Sequence, residues 1–266
     1  MGGPGTGMRD LSRDNPLSRF TGLASGYAKH RPSYPDVAIE FIVRHCALGP
    51  DSTLIDVGAG TGISSRMIAE RGIPVIAIEP NVEMRRKAEV ESLRPGAASI
   101  EHRGGTGETT GLADASADAV LAAQAFHWFH AETALREFHR ILRPTGWLVL
   151  MWNERDESDA FTKAYGDVIR TAPDTAAVEG PRGKAGELLL THRLFQNAER
   201  VAFGNEQVLD EEGVLGRAFS ASYAPREPAA AAAFATALRQ VFARFQADGR
   251  VALRYVTSIF VARPRK

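Results

Sequence analysis

Cysteine is almost missing from this chain of 266 residues, in which Cys46 is the single one. One thiol cannot close a disulfide within the chain or build a multi-cysteine zinc site, and the chain is compatible with a reducing cytoplasm. Net charge is missing as well, because 32 Lys and Arg residues balance 32 Asp and Glu residues. Proteins that bind a nucleic-acid backbone carry a surplus of basic residues. The balance therefore favours a small-molecule partner and predicts no nucleic-acid partner.

Long apolar runs are absent too. No run reaches the roughly 18 residues that a transmembrane helix needs, so we predict no membrane partner. The first 15 residues are rich in glycine and polar residues and lack the apolar stretch of a secretory signal. Although residues 1–6 fit the loose myristoylation pattern, we interpret residues 1–18 as a flexible tail. We expect a cytoplasmic protein, monomeric or homodimeric, and the scarcity of lysine beside arginine indicates a GC-rich bacterial genome.

Apolar runs and helical periodicities alternate through the first 153 residues. Strands are predicted at 53–57, 74–78, 98–103, 119–123 and 147–152, and helices from residue 35 and at 63–69, 82–91 and 132–142. With short glycine-containing turns such as 144–146, this alternation predicts an α/β fold with a doubly wound parallel sheet. After residue 153 the alternation stops for about 50 residues, as an inserted cap would cause. A short strand at 201–203, a helix at 227–245 and a strand at 251–261 follow.

A glycine-rich turn follows the first predicted strand, in the sequence DVGAGTG at 56–62. Glycines at alternate positions let the backbone turn tightly and approach a ligand that side chains would block. Glu79 ends the next strand, 21 residues after Gly58. A carboxylate at that place can accept hydrogen bonds from both hydroxyls of a ribose. Together, the turn and Glu79 predict a nucleoside-binding site.

Two details of the turn distinguish between nucleoside ligands. The dinucleotide pattern G-x-G-x-x-G is not met, because Ile63 occupies its last position and the third glycine comes one place early, at Gly62. Asp56 stands directly before the turn, where it suits a cationic amino group better than a pyrophosphate. Both details favour S-adenosylmethionine. A nicotinamide-dependent oxidoreductase remains the alternative enzyme class.

Several motifs in order now carry a family resemblance. The turn at 56–62 resembles the first motif of class I S-adenosylmethionine-dependent methyltransferases, and IEPN at 78–81 with Met84 resembles their second-strand motif. GTGE at 105–108, ADAV at 117–120 and LRPTG at 142–146 resemble the later motifs. YAKHRPSYP at 27–35 and FHWF at 126–129 are similar to the trans-aconitate methyltransferase-like, small-molecule subgroup of the type 11 methyltransferases.

The resemblance implies a fold and a division of the chain. It implies a Rossmann-like, mostly parallel seven-stranded sheet with an antiparallel C-terminal strand and an inserted helical cap. Residues 19–153 would form the cofactor-binding core with an N-terminal lid. Residues 154–226 would form the substrate cap with a late strand, and residues 227–266 would complete the core.

The resemblance also assigns cofactor contacts residue by residue. It implies that Glu79 binds the ribose of S-adenosylmethionine and that Tyr27 and Arg31 belong to the lid. The methionine end would be held by Asp56, Gly58, Ala59, Gly60 and Gly62, and after the fourth strand by Gln124, Ala125 and Phe126. The adenine would be bordered by Pro80, Asn81, Met84, Thr106, Gly107 and Glu108.

Methyl transfer from a sulfonium mainly requires alignment of the reactants and exclusion of water, and some acceptors also need a general base. His127 is the candidate base, since it follows the end of a strand. The alternative is that His127 only forms part of the pocket wall. His130 lies three residues later, but no carboxylate cluster completes a metal site, so we predict no metal. Cys46 is expected in the core rather than as a nucleophile.

Candidate acceptor contacts are scattered along the sequence. Trp128 could stabilise the sulfonium through a cation–π contact, or could belong to the core. The remaining candidates are Trp152 and Tyr223 for an apolar pocket, Arg155, Arg217 and Tyr223 for an anionic acceptor, and Asn153 beside them.

The sequence therefore predicts an S-adenosylmethionine-dependent methyltransferase that acts on a small organic molecule, with oxygen as the expected acceptor atom. The non-enzymatic alternative is a regulator that binds S-adenosylmethionine without catalysing methyl transfer.

Overall fold

A seven-stranded sheet organises the part of the chain that the computed structural model describes. That part comprises residues 30–92, 96–173, 175 and 181–266, without the side chains of 181–184. The strand order is β3-β2-β1-β4-β5-β7-β6. The strands are β1 Leu54–Val57, β2 Val75–Ile78, β3 Ile100–Arg103, β4 Ala117–Ala123, β5 Leu142–Arg155, β6 Phe195–Leu209 and β7 Val251–Pro264.

Five strands run parallel, and β7 pairs antiparallel with both β5 and β6. This arrangement confirms the predicted Rossmann-like sheet with an antiparallel C-terminal strand. The helices of the described residues are α1 Asp36–His45, α2 Ile63–Ala69, α3 Val82–Glu91, α4 Ala131–Ile141, α5 Ala160–Ile169, α6 Pro181–Thr191, α7 Glu211–Phe219 and α8 Pro228–Phe245, with a 3-10 helix at Phe126–Trp128. None of these helices is long and apolar enough to cross a bilayer.

Apolar side chains cover both faces of the central strands. Consecutive residues of β1 point to opposite faces of the sheet, so Leu54 and Ile55 belong to two different core clusters. Helix α4 covers one face through Phe138, and α1 covers the other through Ile39. Strands buried on both faces appear in the sequence as continuous apolar runs, which is why β1, β2 and β4 could be predicted.

Two strands differ from their predicted bounds. Strand β6 extends over 15 residues, although only 201–203 was predicted as strand. Most of its residues alternate between half-buried and exposed, and it lies at the edge of the sheet. Strand β5 begins at Leu142, and the predicted turn at 144–146 falls where its pairing with β4 shifts register, between Ala117 and Ala119.

A third apolar cluster lies outside the two sheet cores. It joins α5, α7 and α8 to the first residues of β7, and includes Phe161, Phe234 and Leu253. Helices α5 and α7 of this cluster fall in the region predicted as a cap, whereas α8 falls in the region predicted to complete the core. The loops after β1, β2, β3, β4 and β5 meet at the carboxyl edge of the sheet, where open α/β sheets bind their ligands. The predicted tail at 1–18 and the predicted lid residue Tyr27 lie outside the described residues.

Candidate functional site

The glycine turn adopts backbone conformations that favour glycine. Gly58, Gly60 and Gly62 have φ angles of +74°, +58° and +76°. A Cβ added to Gly58 would lie 2.6 Å from the Cβ of Ala125, so this glycine lets the turn and the loop after β4 come together. The amides of Gly58 and Ala59 donate to the carbonyl of Ile78, at 2.8 and 3.1 Å. The turn is therefore fixed against the end of β2.

Glu79 joins the glycine turn to the start of α3. Its Oε2 accepts a hydrogen bond from the Gly60 amide at 2.9 Å, and its Oε1 accepts one from the Asn81 amide at 2.8 Å. Burial raises the pKa of Glu79 above its ordinary value, while these two N–H donors oppose the shift. Each carboxylate oxygen keeps a further lone pair, so Glu79 can still accept hydrogen bonds from ribose hydroxyls.

Asp56 places a buried carboxyl group below the turn. Its Oδ2 accepts hydrogen bonds from the hydroxyls of Ser64 and Ser65, at 2.7 and 2.6 Å. Its Oδ1 has no partner among the residues that the structure describes, and the side chain is completely buried. Burial raises the pKa of Asp56, against the two serine hydrogen bonds. A cationic amino group would satisfy this oxygen.

Two predicted adenine-border residues also serve α3. The Oδ1 of Asn81 accepts from the amides of Glu83 and Met84, both at 3.0 Å, which caps the helix. Met84 is only 3% exposed. Pro80 directly follows Glu79 and turns the chain into this cap, so 79–84 forms one wall beside the glycine turn.

A second loop, 104–110, approaches the same edge after β3. Gly107 allows this approach, because a Cβ there would lie 2.6 Å from the ring of Phe129. Thr106 closes the loop by accepting from the amide of Thr109. Glu108 accepts from the amide of His130 at 2.7 Å, so its carboxylate already contacts the beginning of α4. Sequence reasoning placed Glu108 at the adenine without finding this contact.

The loop after β4 contains a strained residue, Gln124, with a φ of +55°. Its amide nitrogen Nε2 donates to the carbonyl of Asn153 at 3.2 Å, and its buried Oε1 has no partner in the described part of the chain. Ala125 and Phe126 are 5% and 1% exposed. Phe126 packs against Phe129 in the core, so its ring supports the loop from below.

His127 and Trp152 contact each other, although His127 lies in the 3-10 helix after β4 and Trp152 lies in β5. The indole Nε1 of Trp152 donates to Nδ1 of His127 at 3.3 Å. Since an indole nitrogen only donates, Nδ1 must offer its lone pair, and a neutral His127 carries its proton on Nε2. Action of His127 as a general base requires this bond to break or the proton to move. The ring of Trp128 lies beside His127, with centroids 5.0 Å apart.

The described part of the predicted lid is held by side chains of β5 and β6. Asn153 donates to the carbonyl of Ser33 at 3.0 Å and accepts from Thr257 at 2.6 Å. Asn205 donates to the same carbonyl of Ser33, and Gln207 donates to the carbonyl of His30 at 3.1 Å. Arg31, predicted to contact the cofactor, donates to the carbonyl of Ser220 at 3.5 Å. Asn205 and Gln207 were missed because they resemble ordinary polar residues of an edge strand.

The remaining predicted acceptor residues surround the third apolar cluster. Arg217 is 6% exposed and donates from Nε to the hydroxyl of Tyr255 at 3.1 Å. Tyr223 is buried in the same cluster, and Arg155 lies at the end of β5 with its Nε 3.7 Å from Glu157. Tyr255 was missed by sequence reasoning, because an aromatic residue in a strand resembles a core residue.

Burial suppresses the reactivity of Cys46. Cys46 is 7% exposed, and burial raises the pKa of its thiol to about 12, against the charge of Arg263. A thiol with such a pKa is not a nucleophile at neutral pH. Within the described ranges, no group of three or more His, Cys, Asp and Glu residues could hold a metal ion.

The carboxyl edge of the sheet thus fits a nucleoside that also carries an ammonium group. Gly60 has open space beside its backbone, and Glu79, which accepts from the Gly60 amide, keeps free acceptor capacity. The unpartnered Oδ1 of Asp56 suits the positive charge.

Comparison with known proteins identifies relatives of this segment. Residues 55–150 match the family model Methyltransf_11, a methyltransferase domain. An uncharacterized methyltransferase of Mycobacterium tuberculosis is 39% identical over 157 residues, which make up 59% of this chain and 60% of that protein. An uncharacterized methyltransferase-like protein of Schizosaccharomyces pombe is 33% identical over 162 residues, with 59% and 61% covered. The match thus spans about 60% of the length of these curated relatives.

Solved structures share the fold over a larger part of the chain. A candidate type II methyltransferase from Anaeromyxobacter dehalogenans has a TM-score of 0.60 at 23% identity, covering 88% of this chain and 97% of that one. The YcgJ protein from Bacillus subtilis has a TM-score of 0.58 at 13% identity, covering 87% and 100%.

Proposed function

We propose that the chain binds S-adenosylmethionine at the carboxyl edge of the sheet and methylates a small organic molecule, at an oxygen atom. The match of residues 55–150 to a methyltransferase domain and the similarity to a methyltransferase of Mycobacterium tuberculosis support this proposal. The contact between Gly60 and Glu79 carries this proposal. It brings a ribose acceptor against a backbone turn that is open to a ligand, beside the buried charge of Asp56.

Each part of the site has a separate role in this proposal. Glu79 would hold the ribose, and Asp56 with the turn at 58–62 would hold the methionine end. The walls formed by 79–84 and 104–110 would enclose the adenine. The bound cofactor supplies an activated methyl group on a sulfonium.

The chain itself has to orient the acceptor and exclude water. The buried residues Ala125 and Phe126 keep the loop after β4 closed against the turn, and Trp128 provides an apolar surface beside it. A polarised acceptor oxygen would lose its proton to His127 only after the hydrogen bond from Trp152 is released. An acceptor that is already ionised would need no such step.

The binding step is tested by calorimetric titration of the protein with S-adenosylhomocysteine. We expect Glu79→Gln to weaken binding at least about tenfold, because the amide nitrogen cannot accept from ribose hydroxyls and would face a backbone N–H. Glu101→Gln is the matched control, since Glu101 is an exposed glutamate of the neighbouring strand β3 paired with Arg103. It should bind like the unchanged protein.

The proposal fails if the unchanged protein gives no binding heat, or if Glu79→Gln and Glu101→Gln bind equally well. A parallel titration with NADH separates the enzyme classes. Binding of NADH in place of S-adenosylhomocysteine would favour the oxidoreductase.

A further inference from the structure

Arg66, on α2, is hydrogen bonded to the backbone of the glycine turn. Its Nη1 donates to the carbonyl of Thr61 at 2.6 Å. Within the described part of the chain, no backbone amide donates to this carbonyl. If α2 began earlier, the amide of Ser65 would donate to it, because the helical bond joins residues four apart. A charged side chain thus takes the place that a backbone donor could occupy.

Ser65 is turned toward Asp56 instead. Its hydroxyl donates to Oδ2 of Asp56 at 2.6 Å, beside the hydroxyl of Ser64 at 2.7 Å. Burial raises the pKa of Asp56, and both hydroxyls and the backbone N–H of Ser65 oppose the shift. The first turn of α2 therefore supports the ionised form of Asp56. An earlier start of α2 would draw the amide of Ser65 away from it.

Gly62 leaves room for the guanidinium of Arg66. A Cβ on Gly62 would lie 3.3 Å from Nη1 of Arg66 and 3.2 Å from the Cβ of Ala88 on α3. The second distance is below the optimum of about 3.5–4.0 Å for two carbon atoms. The glycine that comes one place early for a dinucleotide pattern therefore has a structural role here, because it admits Arg66 between the turn and α3.

The charge of Arg66 is compensated on α3. Arg66 is only 9% exposed, and its Nη2 lies 3.0 Å from Oε2 of Glu91. The other oxygen of Glu91 pairs with Lys87 at 3.1 Å. Since the guanidinium is planar and rigid, this ion pair also fixes the direction of Nη1 toward Thr61. Arg66 thus connects the glycine turn to α3, and Glu91 would keep Lys87 as a partner if Arg66 were replaced.

Two buried oxygens of the turn have no partner in the described ranges, namely Oδ1 of Asp56 and the hydroxyl of Thr61. Both residues are nevertheless fixed through another atom, Asp56 through Oδ2 and Thr61 through its carbonyl. A buried polar atom without a partner costs free energy. A polar ligand at the turn would recover this cost, so the fixed geometry of both residues serves binding.

We propose that Arg66 is a positioning residue of the cofactor site. By holding the carbonyl of Thr61, it keeps Ser65 turned toward Asp56, and so keeps Oδ1 of Asp56 in place for the ammonium group of the cofactor. Without Arg66, the amide of Ser65 would close onto Thr61 and Asp56 would lose part of its support. This inference rests on the proposed function, because it assigns a supporting residue to the S-adenosylmethionine site.

The test compares two ligands in calorimetric titrations, S-adenosylhomocysteine and 5′-methylthioadenosine. The second ligand has the adenine and the ribose but lacks the amino-acid end. Arg66→Met should weaken S-adenosylhomocysteine binding at least about tenfold and 5′-methylthioadenosine binding less than about twofold, because only the first ligand carries an ammonium group. A general loss of structure would weaken both ligands alike. Arg66→Lys keeps a charged donor and should weaken S-adenosylhomocysteine binding only about threefold.

Arg71→Met is the matched control. Arg71 also donates to a backbone carbonyl, that of Met67 at 3.1 Å, and also pairs with a carboxylate, that of Asp36 on α1. These contacts lie at the far end of α2 from the glycine turn. Arg71→Met should therefore bind both ligands like the unchanged protein.

A double-mutant cycle tests whether Arg66 acts through Asp56. In a protein that already carries Asp56→Asn, Arg66→Met should weaken S-adenosylhomocysteine binding by less than about a further twofold, because the carboxylate that Arg66 supports is gone. A purely structural role of Arg66 would leave its full effect in place.

The proposal is overturned if Arg66→Met keeps the affinity for S-adenosylhomocysteine, if it weakens both ligands equally, or if its full effect persists beside Asp56→Asn. Where Arg66→Met does not fold, Arg66→Lys is compared between the two ligands, and equal weakening overturns the proposal. Binding of S-adenosylhomocysteine by the unchanged protein with no such differences rejects this inference alone. Failure of the unchanged protein to bind S-adenosylhomocysteine would reject the proposed function itself.

Discussion

The cofactor end and the acceptor end of the candidate site are built in different ways. At the cofactor end, polar groups meet partners that are near in sequence: Gly60 and Glu79 are 19 residues apart, and Asp56 and Ser64 are 8 apart. At the acceptor end, Arg217 and Tyr255 are 38 residues apart, and Asn153 and Ser33 are 120 apart. One end is a local structure of consecutive strands and turns, and the other depends on the assembly of the whole sheet.

Within the residues that the structure describes, each end nevertheless contains a buried ionisable group without an oppositely charged partner. Asp56 lies buried at the cofactor end with its Oδ1 unbonded, and Arg217 lies buried at the acceptor end with one hydrogen bond, to Tyr255. Since both are costly to bury, the comparison teaches that each end is stabilised less than its packing allows. The difference lies in how visible the two charges are in the sequence.

The largest effect is expected at Gly58, where the local structure of the cofactor end is tightest. Gly58→Ala should lower the free energy of unfolding by about 3 kcal/mol, because it combines a left-handed backbone with a Cβ 2.6 Å from that of Ala125. Gly60→Ala is the matched control, since Gly60 has a φ of +58° and open space around its Cβ. The Gly60→Ala variant should lower the free energy of unfolding, measured in urea, by only about 1 kcal/mol.

Equal losses for the two glycine variants would contradict this expectation. They would mean that the loop after β4 can move away from the turn without cost. The cofactor end would then depend on long-range assembly as much as the acceptor end does.

An intermediate effect is expected at Glu137, which links the loop at 104–110 to α4. It accepts from the amide and hydroxyl of Thr110 and from Arg140. Burial raises the pKa of Glu137, but the hydrogen bonds outweigh burial and bring the pKa to about 2. Glu137→Gln should therefore lower the free energy of unfolding at pH 7 by about 2 kcal/mol.

The pH dependence of this loss follows from the lowered pKa. The ionised Glu137 stabilises the folded protein fully above its unfolded pKa of about 4.3, and this contribution disappears as the pH falls toward 2. The difference between Glu137→Gln and the unchanged protein should shrink over that range in urea unfolding. Glu40→Gln, in an exposed pair with Arg44, should change little at any pH. A loss at Glu137 that is constant down to pH 2 would argue against the ionised contact.

The same contrast explains what could be predicted from the sequence. The strands β1 and β2, the turn at 56–62 and Glu79 could be predicted, because local spacing alone positions them. Strand β6 was largely missed, since polar residues such as Asn205 and Gln207 occupy its half-buried positions and hide the apolar alternation of a strand. Arg217 was singled out by residue type, whereas Tyr255 was not, because only the folded chain brings it to Arg217. The hydrogen bond from Trp152 to His127 likewise joins positions whose spacing carries no signal.

The smallest effect is expected at Asp56, and it has the opposite sign. Asp56→Asn should raise the free energy of unfolding of the cofactor-free protein by about 1 kcal/mol, because it removes a buried charge and keeps an acceptor oxygen for Ser64 and Ser65. Since burial raises the pKa of Asp56 in the folded state, the ionised form opposes folding. The gain should be absent below the unfolded pKa of about 3.9 and should grow as the pH rises above it.

The same substitution should weaken the binding of S-adenosylhomocysteine about tenfold in calorimetry, because the ammonium group of the ligand would lose its carboxylate partner. A stabler protein that binds more weakly means that the charge is retained for the ligand. A higher free energy of unfolding for Arg217→Met as well would show that the buried groups of both ends oppose folding, despite the different construction of the two ends. If Asp56→Asn instead destabilised the protein at neutral pH, the charge would serve the fold at the cofactor end alone, and the parallel between the two ends would break there.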